Sequence, residues 1–105
     1  MSKHDFSHLL SRYPATIEEM HHTFTSHEFI LCLARENQVL YVDALHSYCQ
    51  RGRASELATP FKAVHAILAQ QLLEFPHLVE LMSESVQSRN IFGRDNSCAQ
   101  WKKIE

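Results

Sequence analysis

The segment Thr25–Glu28 is the strongest constraint that the sequence places on the fold. Its threonine is followed three residues later by a glutamate, and then by an apolar run from Phe29 to Ala34. In this capping-box pattern the hydroxyl accepts a hydrogen bond from a backbone N–H in the first turn of a helix. The carboxylate accepts one from the N–H of the threonine itself. The segment therefore predicts that the main helical region of the chain begins at Thr25.

Other starts and stops divide the rest of the chain into helices. Tyr13-Pro14 predicts the end of a short N-terminal helix, because the residue before proline disfavours the α conformation. Thr16–Glu19 repeats the capping-box pattern and predicts a second helix through about His22. Thr59-Pro60 predicts the start of another helix, since proline at the first helical position loses no hydrogen bond. These marks indicate a largely helical chain.

The polar segment Arg35–Gln38 leaves two interpretations open. A straight helix through it would place six apolar or aromatic residues on one stripe, namely Ile30, Leu33, Ala34, Tyr41, Leu45 and Tyr48. Alternatively, the segment forms a bend, and Asn37 caps a new helix that runs from Gln38 to about Gln50. The pattern favours neither interpretation.

The second half of the chain carries helical spacing as far as Ser88. A broad apolar face supports a helix over Thr59–Phe75, and a further helix is predicted after Pro76 on the spacing of Leu78, Val79, Met82 and Val86. We therefore predict an all-α fold, a compact single-domain bundle of four to six helices. The helical core domain is expected to cover residues 1–88. Residues 89–105 are expected to form an irregular C-terminal tail that packs on the core or on a partner.

Composition is that of an ordinary globular domain, with 45% hydrophobic and 21% charged residues and a formal net charge of −2. The longest apolar run is far too short to cross a bilayer, and no apolar signal-peptide core follows the polar start of the sequence. Three widely spaced cysteines are typical of a reducing compartment. We expect a cytoplasmic protein without a membrane partner.

No motif predicts catalysis or cofactor binding. With two glycines, the chain has no glycine-rich loop for a nucleotide phosphate, and it lacks the pattern of a nucleophile elbow. Eight histidines are an enrichment, but the Glu18–His21 and Glu19–His22 pairs overlap on one short predicted helix and would point in different directions. No C-x-x-C pair is present. We therefore expect a protein that is not an enzyme and has no cofactor and no metal site.

The function that these patterns favour is action through protein–protein contacts, as an adaptor or regulatory module, with a homodimer as one form of it. Tyrosine and tryptophan are enriched at interface hot spots. The candidate partner-binding residues are aromatic: Tyr41, Tyr48, Phe92 and Trp101. The other interpretation is that the tyrosine rings pack in the core and that Trp101 fixes the tail to it.

A helix-turn-helix-like nucleic-acid-binding protein is the alternative function. The Thr59–Phe75 helix has an apolar inner face and a polar outer face, as a recognition helix does. Glutamine can read adenine, and basic side chains can contact phosphates. The candidate residues are Arg51, Arg53, Lys62 and Gln70. The small number of basic residues weighs against this alternative, because phosphate neutralisation supplies most of the non-specific affinity.

Overall fold

A computed structural model describes residues 6–49, 59–89 and 95–104. Within these ranges the helices are α1 (Ser7–Leu10), α2 (Tyr13–Glu19), α3 (Ser26–Glu36), α4 (Gln38–Cys49) and α5 (Thr59–Gln70), and a 3-10 helix (Gln71–Glu74) continues α5. The strands are β1 (Thr23–Thr25), β2 (Val79–Arg89) and β3 (Asp95–Lys103). The fold is therefore α+β.

The strands form one antiparallel sheet in the order β1-β3-β2. Trp101 lies at its centre, paired with Phe24 on one side and with Leu81 on the other. The prediction of an all-α helical bundle is therefore wrong. The predicted helix after Pro76 is strand β2, and the predicted irregular tail contains strand β3.

Irregularities in β2 explain why its sequence resembles a helix. The register with β3 shifts between Leu81 and Ser83 and again between Ser83 and Val86. Each bulge inserts residues that have no partner opposite them, so the alternation of two that marks a regular strand is lost. Val79, Met82 and Val86 then fall by coincidence at the spacing of a helix face.

The capping box at the start of α3 is confirmed. The backbone N–H of Glu28 donates to Thr25 Oγ1 at 3.2 Å, and the backbone N–H of Thr25 donates to Glu28 Oε1 at 2.8 Å. Thr25 has an extended backbone because it is also the last residue of β1. Thr25 thus ends the strand and caps the helix.

The predicted helix start at Thr16 is wrong. Helix α2 begins three residues earlier, at Tyr13, with Pro14 in its first turn, where a missing N–H is tolerated. Thr16 lies inside the helix, and its hydroxyl donates to the carbonyl of Arg12 at 3.0 Å. The helix ends at Glu19, before the predicted end at about His22. A threonine hydroxyl within a helix commonly donates to the backbone carbonyl four residues earlier. A threonine followed three residues later by a glutamate therefore does not by itself mark a helix cap.

The segment Arg35–Gln38 forms the bend. Helix α3 ends at Glu36 and α4 begins at Gln38. Between them Asn37 leaves the helical conformation, and its side chain donates to the carbonyl of Leu33 at 3.0 Å. Asn37 therefore satisfies the end of α3, and its own carbonyl accepts from Tyr41 in the first turn of α4.

The core lies between the helices and one face of the sheet. Tyr13 is fully buried, donates its hydroxyl to the carbonyl of Leu68 at 2.6 Å, and contacts the rings of Phe29 and Phe75. Burial without a charge partner raises the pKa of the Tyr13 phenol, so the group stays a neutral donor. This contact fixes the N-terminal helices to α5, and thereby positions α5 against the sheet.

Candidate functional site

A cleft of about 610 Å³ lies between α5 and the β2–β3 strands. Its helical wall consists of the start of α3 and the second half of α5. Here α5 presents small or polar side chains, since its larger apolar residues Val64 and Leu68 point into the core. The residues on this wall are Ile30, His27, His65, Ala66, Ala69 and Gln70.

The opposite wall belongs to the sheet. Leu81 of β2 lies on this wall with 39% of its surface exposed, and Leu73, in the 3-10 helix that continues the helical wall, is 54% exposed. Further residues come from both long strands, namely Glu84, Ser97, Cys98, Ala99 and Trp101. The bulges in β2 place Leu81 and Glu84 on this wall although they are three residues apart. The cleft is thus mainly apolar, with a few polar groups.

A buried hydrogen bond holds the two walls together at one place. Trp101 Nε1 donates to Ser26 Oγ at 2.9 Å, and both residues are almost completely buried. Ser26 is the first residue of α3, directly after the capping threonine, so the cap also fixes the acceptor for the indole. Because a buried indole N–H needs a partner, this bond sets the position of β3 relative to α3.

Two aromatic groups are paired beside the cleft. The hydroxyl of Tyr41 and Nε2 of His65 lie 2.6 Å apart in a hydrogen bond, and the two rings stack with their centroids 5.8 Å apart. Burial lowers the pKa of His65 from 6.5 to about 4, and the nearby charge of His27 is the second, smaller cause. Burial also raises the pKa of Tyr41. Both groups are therefore neutral at pH 7.

These properties suit binding better than proton transfer. A general base works best when its pKa lies near the operating pH, and His65 lies well below neutrality. A cleft of this size with a mainly apolar lining falls in the range of ordinary ligand sites, about 300–1,000 Å³. The arrangement can hold apolar side chains and offer a small number of hydrogen-bonding groups to them.

Among the described residues, one group has the composition of a metal site. Ligand atoms of Glu19, Cys32 and Glu36 lie within 4.8 Å of one another. A hydrogen bond with Glu36 is the main cause that raises the pKa of Glu19, and burial is the main cause that raises the pKa of Cys32. Both carboxylates are exposed, and exposed acidic groups commonly lie close together without a metal ion. The proximity of these three residues therefore does not by itself assign a metal.

Two of the four predicted partner-binding residues have side chains in the described part of the chain, and both are buried. Tyr41 is bonded to His65, with 9% of its surface exposed, and Trp101 is 3% exposed. Phe92 lies outside the described residues, and so does the side chain of Tyr48. A role for these four residues in partner binding stays a prediction.

Of the residues predicted for nucleic-acid binding, Gln70 alone has a side chain in the described part of the chain. Arg51, Arg53 and the side chain of Lys62 lie outside it. Gln70 is exposed and lines the cleft. The polar face of α5 was thus recognised in the sequence, but the sheet wall that turns it into a cleft was not. That wall is formed by the pairing of β2 with β3, and the local sequence pattern did not indicate this pairing.

No protein-family model, no curated protein and no solved structure matches this chain. Within the described ranges, none of the helices has the length and hydrophobicity to span a bilayer. The function therefore has to be inferred from the cleft itself.

Proposed function

We propose that this protein is a non-enzymatic binding module that acts through protein–protein contacts, as an adaptor or regulator. The observation that carries the proposal is the apolar cleft between α5 and the β2–β3 strands. Leu73 and Leu81 stay exposed beside it. Apolar surface that is exposed around a concavity is characteristic of interaction sites, because a partner gains free energy by covering it.

The absence of enzymatic activity is part of this proposal. It is supported by the low pKa of His65, which makes this imidazole a weak base at neutral pH. A cytoplasmic location also belongs to the proposal, and the free thiols of Cys32 and Cys98 are consistent with it.

Nucleic-acid binding through α5 receives less support. Gln70 shares its cleft with Glu84, whose carboxylate would repel phosphate groups. Neither lysine nor arginine is among the described residues that line the cleft. A duplex needs several such contacts for even non-specific affinity.

Selection from a random peptide display library on the immobilised protein tests the proposal. The variant Ala66→Phe fills the cleft from an exposed position on α5, so it should not disturb the core. Its matched control is Val42→Phe, at an exposed position of α4 that does not line the cleft. We expect enriched peptides to bind the wild type and the Val42→Phe variant equally, and to lose most of their affinity for Ala66→Phe.

Two results would contradict the proposal. If no peptide is enriched on the wild type, the cleft does not bind protein segments. If enriched peptides bind Ala66→Phe as tightly as the wild type, binding takes place elsewhere on the molecule. Circular dichroism of both variants provides the check that each has kept its fold.

A further inference from the structure

We propose that the cleft binds an extended segment of a partner protein in which apolar side chains alternate with lysine or arginine. This inference rests on the proposed function and specifies the chemistry of the partner. Two observations carry it: the length of the apolar surface and the sign of the charges along it.

The apolar surface extends beyond the cleft. A second groove of about 380 Å³ adjoins it and shares Leu73, Leu81 and Trp101 with it. The further groove also contains Pro76 and Ile104, the latter with 42% of its surface exposed. A compact small molecule would fill one of these concavities. An extended peptide advances about 3.3 Å per residue and places alternate side chains on one face, so it can occupy both.

The charges along this surface have one sign. Among the described residues that line the two grooves, the formally charged ones are Glu84 in the cleft and Glu80 in the second groove. Lysine and arginine are absent from the same set. His65 is neutral at pH 7 because of its lowered pKa. The surface is therefore complementary to a cationic partner and unfavourable to an anionic one.

The two carboxylates differ in their availability. Glu80 already forms an ion pair with Lys102, with 3.5 Å between Oε1 and Nζ. The carboxylate of Glu84 makes no hydrogen bond or ion pair with any of the described side chains, and Glu84 is exposed. Glu84 is thus the acceptor for a lysine or arginine of the partner. The apolar side chains provide most of the affinity, and Glu84 selects for positive charge.

Fluorescence anisotropy with three labelled peptides tests this inference. The first is a short blocked peptide in which leucine and lysine alternate, and in the other two glutamine or glutamate replaces lysine. We expect the lysine peptide to bind most tightly and the glutamate peptide most weakly. Glu84→Gln should weaken the lysine peptide roughly two- to fivefold, the effect of one exposed ion pair, and should leave the glutamine peptide unchanged.

The control variant is Asp43→Asn, which removes the same charge from an exposed position of α4 outside both grooves. It should leave all three affinities unchanged. A lysine peptide that binds Glu84→Gln as tightly as the wild type would overturn the inference, as would equal binding of the three peptides to the wild type. In either case the proposed function survives if Ala66→Phe still abolishes binding. If none of the peptides binds the wild type, this inference falls, and the display selection decides separately whether the proposed function falls with it.

Two other occupants would appear as distinct results. Benzylamine, used as a small aromatic amine, is expected to bind far more weakly than the lysine peptide, and an equal affinity would assign the cleft to a small molecule. By analytical ultracentrifugation we expect no self-association through the cleft. Self-association of the wild type that the variant Ala66→Phe abolishes would assign the cleft to a second copy of this chain. Either outcome would overturn the inference.

Discussion

Acidification should destabilise this protein through a single imidazole. His65 is partly buried beside the cleft and shares a hydrogen bond with Tyr41. Its pKa in the folded state is about 4, compared with 6.5 for an ordinary histidine. The replacement His65→Gln removes the titrating group and retains a side chain that can hydrogen-bond to the tyrosine.

The sign and the magnitude follow from linkage. Between pH 6.5 and pH 4 the unfolded chain binds a proton at this position and the folded protein does not. The contribution of neutral His65 to stability is therefore fully present above pH 6.5 and is lost as the pH falls. Because His65 is only partly buried, solvent screening reduces this effect, and the loss is about 1 kcal/mol at about pH 5.

Urea unfolding followed by circular dichroism, at about pH 7 and about pH 5, measures this loss. On acidification the wild type should lose about 1 kcal/mol more unfolding free energy than His65→Gln does. His21→Gln, at an exposed position between α2 and β1, is the control and should follow the wild type. An identical pH dependence of wild type and His65→Gln would refute the argument that burial keeps this imidazole neutral.

Three further substitutions test the contacts that position the cleft, each by urea unfolding. Tyr13→Phe removes the hydroxyl that donates to Leu68 and should cost about 1–3 kcal/mol, the range for a buried hydrogen bond that loses one partner. Ser26→Ala removes the acceptor of the buried Trp101 indole, and it should cost a similar amount, about 1–3 kcal/mol, and shift the tryptophan fluorescence. Thr25→Ala removes the helix cap and should cost about 1 kcal/mol. An unchanged midpoint in any of the three would contradict the contact concerned.

The features that could be predicted from the sequence are those encoded locally. The capping box depends on Thr25 and Glu28 alone, and both of its hydrogen bonds are present. The bend at Asn37 was one of two open interpretations, and it follows from a side chain that bonds to the preceding turn. The start of α5 at Thr59 likewise agrees with its proline signal.

The sheet could not be predicted in this way. Strand β3 is mostly polar, and its pairing with β1 brings Phe24 opposite Trp101 from the other end of the chain. Such contacts leave no trace in the periodicity of either segment. The bulges in β2 then removed the alternation that would have marked the second strand. Since both long strands were missed, the sheet wall of the cleft was missed with them.

Part of the candidate site was nevertheless present in the sequence pattern. Gln70 was assigned to the polar outer face of an amphipathic helix, and under the alternative function this face was expected to contact nucleic acid. In the structure Gln70 lines the cleft together with Glu84. The pattern thus identified a face that is not used for the core, but the sequence contained no information on what lies opposite it.

Chemical-shift mapping tests the central claim most directly. The ¹⁵N-labelled protein is titrated with the alternating leucine–lysine peptide, and backbone amide shifts are recorded. We predict that the largest shifts occur in the second half of α5 and in β2, at Ala66, Ala69, Leu81 and Glu84. Shifts confined to the exposed face of α4, around Val39 and Val42, or no saturable shifts at all, would contradict the assignment of the cleft as the binding site.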